Sequence, residues 1–173
     1  MEKSIKSSVV CRGPFFLLRE HRVTLPDGKE APRFVLEHPG AVAAVCRLPG
    51  EKVILVEQFR KAIERISLEI PAGKLEAGET PEECIKRELI EETGLRAGRL
   101  RKLISYYPSC GISDEIIHIY LAEELVKTSR GEIDEVGLKT VILPLGKLKR
   151  MIATGKILDS KTIIGVWALE MLE

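Results

Sequence analysis

The chain has 173 residues, enough for one domain with a proper hydrophobic core and short for two. Its 27 Lys and Arg nearly cancel its 26 Asp and Glu, and no basic stretch is interleaved with aromatics, so it lacks the footprint of a nucleic-acid binder. The four cysteines (Cys11, Cys46, Cys84, Cys110) form no CxxC pair and have no histidine at metal spacing, and no run approaches the roughly 18 apolar residues of a membrane span, so a reduced, cytoplasmic protein is expected.

The opening MEKSIKSSVVCRGPFFLL has basic residues and an apolar patch, but the patch is short, broken by Pro14 and without a small-residue cleavage site, which argues against a leader peptide. In HRVTLPDGKEAPRFVLEH, apolar and polar residues alternate around Pro26-Asp27-Gly28, a strong hairpin turn, so residues 1–38 read as antiparallel strands. GAVAAVCRLPGEKVILVEQFR gives two apolar, β-branched runs about a Pro49-Gly50 turn, the pattern of central strands. SLEIPAG adds a short strand. Two more strands are expected over Leu103 to Tyr107 and Ile116 to Glu123, with the loop PSCGISDE between them. After the polar stretch KTSRGEIDEVG come a strand from Lys139 to Leu143, a helix over about Leu145 to Ala153, and a last helix from Ser160 to Leu172 in which Trp167 reads as core. His118, in an alternating strand, reads as structural. A sheet with helices on its faces is the coarse result.

Between the short strand and Leu103 lies GKLEAGETPEECIKRELIEETGL, a stretch crowded with glutamate. Thr80 suits an N-cap, with Pro81 at the first helical position and Glu83 three residues after the cap, and Gly94 suits a left-handed stop, which predicts a helix over Pro81 to Thr93. At about 100° per residue, Glu88, Glu91 and Glu92 share one edge of it beside the core-facing Ile85 and Leu89. A solvated face gains from opposite charges at i,i+4, whereas Glu88 and Glu92 are like charges at that spacing and cost a few tenths of a kcal/mol unless something positive lies between them. A bound cation would resolve the conflict. An all-oxygen cluster without histidine or cysteine suits a hard ion, Mg²⁺ or Mn²⁺, that shares its shell with substrate phosphates. Cys84, on the same arc, reads as a small buried residue rather than a nucleophile.

These residues resemble the Nudix box, GX5EX7REUXEEXGU with U aliphatic, at every fixed position: Gly73, Glu79, Arg87, Glu88, Leu89, Glu91, Glu92, Gly94 and Leu95. The likeness extends through LPDGKEAPRFVLEHPGAVAAV, VEQFRKAIERISLEIPAGKLEAGE, YYPSCGISDEIIHIYLAEEL and GKILDSKTIIGVWALEML to the ADP-ribose pyrophosphatase branch of the Nudix hydrolases. The resemblance implies an α+β fold, a mixed β-sheet sandwiched between α-helices, with an N-terminal antiparallel strand region over residues 1–38 ahead of a hydrolase domain over 39–173. It also implies a homodimer joined through the N-terminal strands.

The implied reaction is Mg²⁺-dependent hydrolysis of ADP-ribose to AMP and ribose 5-phosphate. The implied metal ligands are Glu88, Glu91, Glu92 and the backbone carbonyl of Ala72. Arg87 is implied as an orienting partner linked to Glu79, since a guanidinium does not ligate a cation. Arg60, Glu76, Ser109, Glu115 and Arg33 are implied as substrate-binding, and Glu135, or alternatively Glu132, as the residue that activates water. One departure stands out: where the branch reads Pro-Ser-Pro-Gly, this chain reads Pro108-Ser109-Cys110-Gly111. The alternatives are the same chemistry on ADP-glucose, another nucleotide sugar or a dinucleotide, or a ligand sensor that keeps the fold without catalysis.

Overall fold

The computed structural model describes residues 1–128 and 137–172, which divide into two compact units. The smaller comprises residues 1–40 with 107–116. Its sheet is antiparallel, β1 (Lys3–Arg12) on β2 (Leu17–Thr24) on β3 (Glu30–Glu37). The predicted turn closes β2 onto β3: Gly28 takes φ +83°, its N–H donates to Leu25 O (3.0 Å), and Asp27 Oδ1 accepts from Lys29 N–H (3.1 Å). Loop 107–116 is laced to the end of β3, where Leu36 N–H donates to Ile112 O (2.8 Å) and Leu36 O accepts from Ser113 Oγ (2.9 Å). β1 is exposed along its whole length, and Ile5, Val9, Val10, Phe15 and Phe34 are exposed in this unit.

The larger unit, residues 41–106 and 117–173, holds a mixed sheet. Its order is β10 (Lys139–Pro144), β5 (Lys52–Arg60), β4 (Ala41–Leu48), β9 (Ile117–Lys127), β8 (Leu95–Tyr106), with β6 (Arg65–Glu69) paired to β5 and β7 (Ala72–Lys74) to β4. Only the β4–β9 pair among these is parallel. Helix α1 (Pro81–Thr93) covers one face, α2 (Leu145–Ala153) and α3 (Ser160–Glu170) the other. The period of two in β4 shows why its sequence is apolar throughout: Ala41, Ala43 and Val45 pack with Leu145, Leu148, Val166 and Leu169, while Val42, Ala44 and Cys46 pack with Cys84, Ile85 and Leu89. No helix among the described residues is long and apolar enough to cross a membrane.

Two expectations need correction. Trp167, expected in the core, is 51% exposed, because the core face of α3 is supplied by Val166, Ala168, Leu169 and Gly165. The strand expected from Leu103 begins at Leu95, directly after the helix stop. Arginines at 96, 99 and 101 and a register shift between Lys102 and Ile104 hide the apolar alternation that marks a strand.

Candidate active site

The site is built on the segment that enters α1 and on one edge of that helix. Thr80 and Glu83 form the expected capping box: Thr80 Oγ1 accepts from Glu83 N–H, and the Glu83 carboxylate accepts from Thr80 N–H (2.9 Å). Gly94, at φ +68°, ends the helix. Between these stops the buried face is Cys84, Ile85, Leu89 and, at 4% exposure, Glu92.

A buried carboxylate must be compensated. Glu92 Oε2 accepts the backbone N–H of Ala72 at 2.9 Å, which ties the helix to β7. Glu88 lies over the adjacent Gly73: a Cβ there would fall 1.8 Å from Glu88 Cδ and 1.9 Å from Oε1, so the missing side chain is the seat of this carboxylate. Burial pushes the Glu88 carboxyl up, against the opposing pull of Arg87.

Arg87 is the hub. Its Nε and Nη2 each donate to Glu79 at 2.9 Å, Nη1 donates to Glu88 (2.7 Å) and Glu91 (3.0 Å), and Nη2 also reaches Lys74 O (3.2 Å). The Arg87 fork holds the Glu79 carboxyl at about 2. Glu79 in turn accepts from Glu76 N–H (3.0 Å), while the Glu76 side chain is exposed. The charges of Glu88 and Glu91 are therefore met here by a guanidinium. Among the described residues no group of three or more carboxylate, imidazole or thiol side chains converges on a common ion position. Cys84 is buried, with its thiol pushed up to about 12, chiefly by burial and then by Glu79, which is far from a nucleophile's range.

Arg60 closes β5. Its Nε and Nη2 take the two oxygens of Glu69, at the end of β6, in a fork–fork pair (2.9 and 2.7 Å), and Glu69 also accepts from Lys161 Nζ (3.0 Å). Burial alone would raise the Glu69 carboxyl, but Arg60 and Lys161 outweigh it and hold it at about 2. The sequence reading missed Glu69, Lys161 and Asp159; a lysine two residues past a capping aspartate was the only local cue.

In the smaller unit, Arg33 is engaged by Glu2 (Nε to Oε2, 3.1 Å), Ser109 is exposed at a turn whose carbonyl accepts from Ile112 and Ser113 N–H (both 3.0 Å), and Glu115 lies 3.6 Å from His38 Nδ1. Cys110 is an exposed free thiol. His118 Nδ1 pairs with Ser105 Oγ at 2.7 Å. Glu132 and Glu135 lie outside the described residues.

The family described as "NUDIX domain" matches residues 37–160, and that described as "Nucleoside diphosphate sugar hydrolase N-terminal domain" matches residues 2–36. An ADP-ribose pyrophosphatase of Bacillus subtilis (strain 168) is 41% identical over 99% of this chain and 94% of its own length. A methanol dehydrogenase activator of Bacillus methanolicus is 40% identical over the same shares. In fold, the chain is similar to a crystal structure of an ADP compounds hydrolase, with a TM-score of 0.86 and 19% identity over 99% of this chain and 93% of that one.

Proposed function

The chain belongs to the Nudix hydrolases, in the ADP-ribose pyrophosphatase branch, and from that premise we propose that it hydrolyses the diphosphate of ADP-ribose to AMP and ribose 5-phosphate with Mg²⁺. The observation that carries the reading is the carboxylate edge of α1, fastened to β7 by the Glu92–Ala72 hydrogen bond and by the fit of Glu88 over Gly73. The donors there are all oxygen, which suits a hard divalent cation. Glu88, Glu92, Glu91 and the Ala72 carbonyl would hold it, Glu88 and Glu91 exchanging Arg87 for the ion. When bound, such an ion supplies charge neutralisation of the diphosphate and acidification of water.

The other steps fall to the chain itself. Arg60, its fork committed to Glu69, offers its third nitrogen to the diphosphate; Nη1 has no hydrogen-bond partner among the described residues. Arg87 and Glu79 hold the box in register. Glu135, or Glu132, takes the proton of the attacking water, and the P–O–P bond breaks as the new P–O bond forms. Arg33, Ser109, Glu115 and Glu76 are the further substrate-binding candidates that the family resemblance supports.

A second reading is favoured by one feature. Cys110 replaces a proline that would stiffen its loop by fixing φ, so other ADP-linked compounds or a dinucleotide remain competing substrates. A panel of nucleoside diphosphate derivatives with Mg²⁺ and product identification tests both. We expect ADP-ribose to give the highest kcat/KM; a tenfold preference for another diphosphate transfers the assignment to that compound.

The exposed β1 and the apolar Ile5, Val10 and Phe34 support a homodimer formed through the N-terminal strands. Light scattering should show a dimer of the full chain, and removal of residues 1–38 should leave a poorly soluble or inactive monomer. A soluble truncated chain with an unchanged rate on ADP-ribose would refute this role.

A further inference from the structure

Glu69 is a carboxylate with two cationic partners, and the second of them comes from a distant part of the chain. Lys161, in the first turn of α3, is only 15% exposed at its side chain, and its ammonium bridges Glu69 Oε2 (3.0 Å) and Asp159 Oδ1 (2.6 Å). Asp159 also caps α3: its Oδ2 accepts from Thr162 N–H (2.9 Å) and Thr162 Oγ1 (2.7 Å). The fully buried Thr162 oxygen in turn accepts the N–H of Ile70 at 2.9 Å. The four residues from the end of β6 to the box are thus fixed one after another: Glu69 by Arg60 and Lys161, Ile70 by Thr162, the Pro71 carbonyl by Ala44 N–H (2.9 Å), and Ala72 by Glu92.

The charges in this corner are Arg60 and Lys161 against Glu69 and Asp159. Both carboxylates act on Arg60, Glu69 most strongly and Asp159 after it, and Glu92 also contributes. The Arg60 fork is given to Glu69, and Lys161 bridges Glu69 to Asp159, so the lysine both completes Glu69 and neutralises the second anion of the corner. Burial of the lysine keeps it from being a substrate contact itself.

We propose that Lys161 is a positioning residue which, by neutralising Asp159 and supporting Glu69, fixes the Arg60 guanidinium in the orientation that receives the substrate diphosphate. The proposal rests on the reading of Arg60 as the diphosphate contact. Without Lys161, Glu69 loses one of its two cations and Asp159 keeps only its Thr162 hydrogen bonds, an excess of negative charge that shifts the Glu69 carboxylate and the Arg60 fork it holds. The loss falls on substrate binding, because Lys161 bonds Glu69 and Asp159 in the corner that holds Arg60.

The test measures initial rates on ADP-ribose at saturating Mg²⁺, below the Tm of each variant. Lys161→Met is expected to raise KM about tenfold, the worth of one charge-assisted hydrogen bond, with kcat within about threefold of wild type. Lys161→Arg, which keeps the charge, should return KM to within about threefold. Arg60→Ala should raise KM at least as much as Lys161→Met, and combining the two should add little, since one residue acts through the other. An unchanged KM in Arg60→Ala removes Arg60 from the substrate and ends the reading on which the proposal stands. A raised KM in Arg60→Ala with an unchanged KM in Lys161→Met, or full additivity in the double variant, leaves that reading intact and overturns the role of Lys161. If Lys161→Met does not fold, Glu69→Gln with Lys161→Met removes the buried anion and cation together; it should fold with raised KM, and a wild-type KM there also overturns the proposal.

Discussion

Replacing Glu92 by glutamine is expected to lower kcat by at least about a hundredfold, the loss that follows when an anionic ligand of a catalytic cation becomes neutral. The fold should survive the change. Glutamine has the same length, its amide oxygen accepts the Ala72 N–H as the Glu92 oxygen does, and it removes a like charge from Glu88 one turn away, a relief of a few tenths of a kcal/mol. Titration with Mg²⁺ and a melting curve measured side by side separate the two effects. A Glu92→Gln protein with near-normal turnover at saturating Mg²⁺ would sink the assignment of this edge as the metal site.

Gly73→Ala is expected to be nearly as severe by a different route. Gly73 is not at a positive φ, so alanine fits its backbone, but the new methyl occupies the seat of the Glu88 carboxylate, with Cδ and Oε1 both within 2 Å of the Cβ position. The end of a flexible side chain gives way more readily than the backbone. We expect Tm to move by no more than about 4 °C, the scale of about 1 kcal/mol in a chain of this size. Turnover should fall about a hundredfold, the effect of a catalytic group displaced by about an ångström. Wild-type kcat and Mg²⁺ dependence in Gly73→Ala would show that the position of Glu88 is immaterial.

The parts of this structure that were legible in the sequence are those encoded locally. Thr80, Pro81, Glu83 and Gly94 define α1 within a single stretch, and Pro26-Asp27-Gly28 defines the first hairpin, because caps and turns are satisfied by neighbours a few residues away. The Arg87–Glu79 link was also implied by the resemblance to the box. What escaped reading depends on chain segments that meet only in the folded state. Lys161 and Glu69 are 92 positions apart, as are Thr162 and Ile70, and no periodicity announces such pairs. The exposed face of Trp167 was illegible for a related reason: α3 is apolar on nearly every side, so its pattern does not show which residues face the sheet.

The parallel pairing of β4 with β9 has a bearing on how the molecule acquires its shape. Ala41 meets Ile117 and Cys46 meets Ala122, so the carboxylate-bearing helix and four strands are strung on the chain between two strands that must find each other. Closing so long a connection costs about 2–3 kcal/mol more in chain entropy than closing a tight hairpin, and the return comes only when the sheet is complete. The β2–β3 and β8–β9 hairpins can form early, whereas the β4–β9 ladder is expected to form late in folding. Refolding should be governed by this closure, and the backbone amides of β4, buried on both faces, should be among the last in the molecule to exchange with solvent.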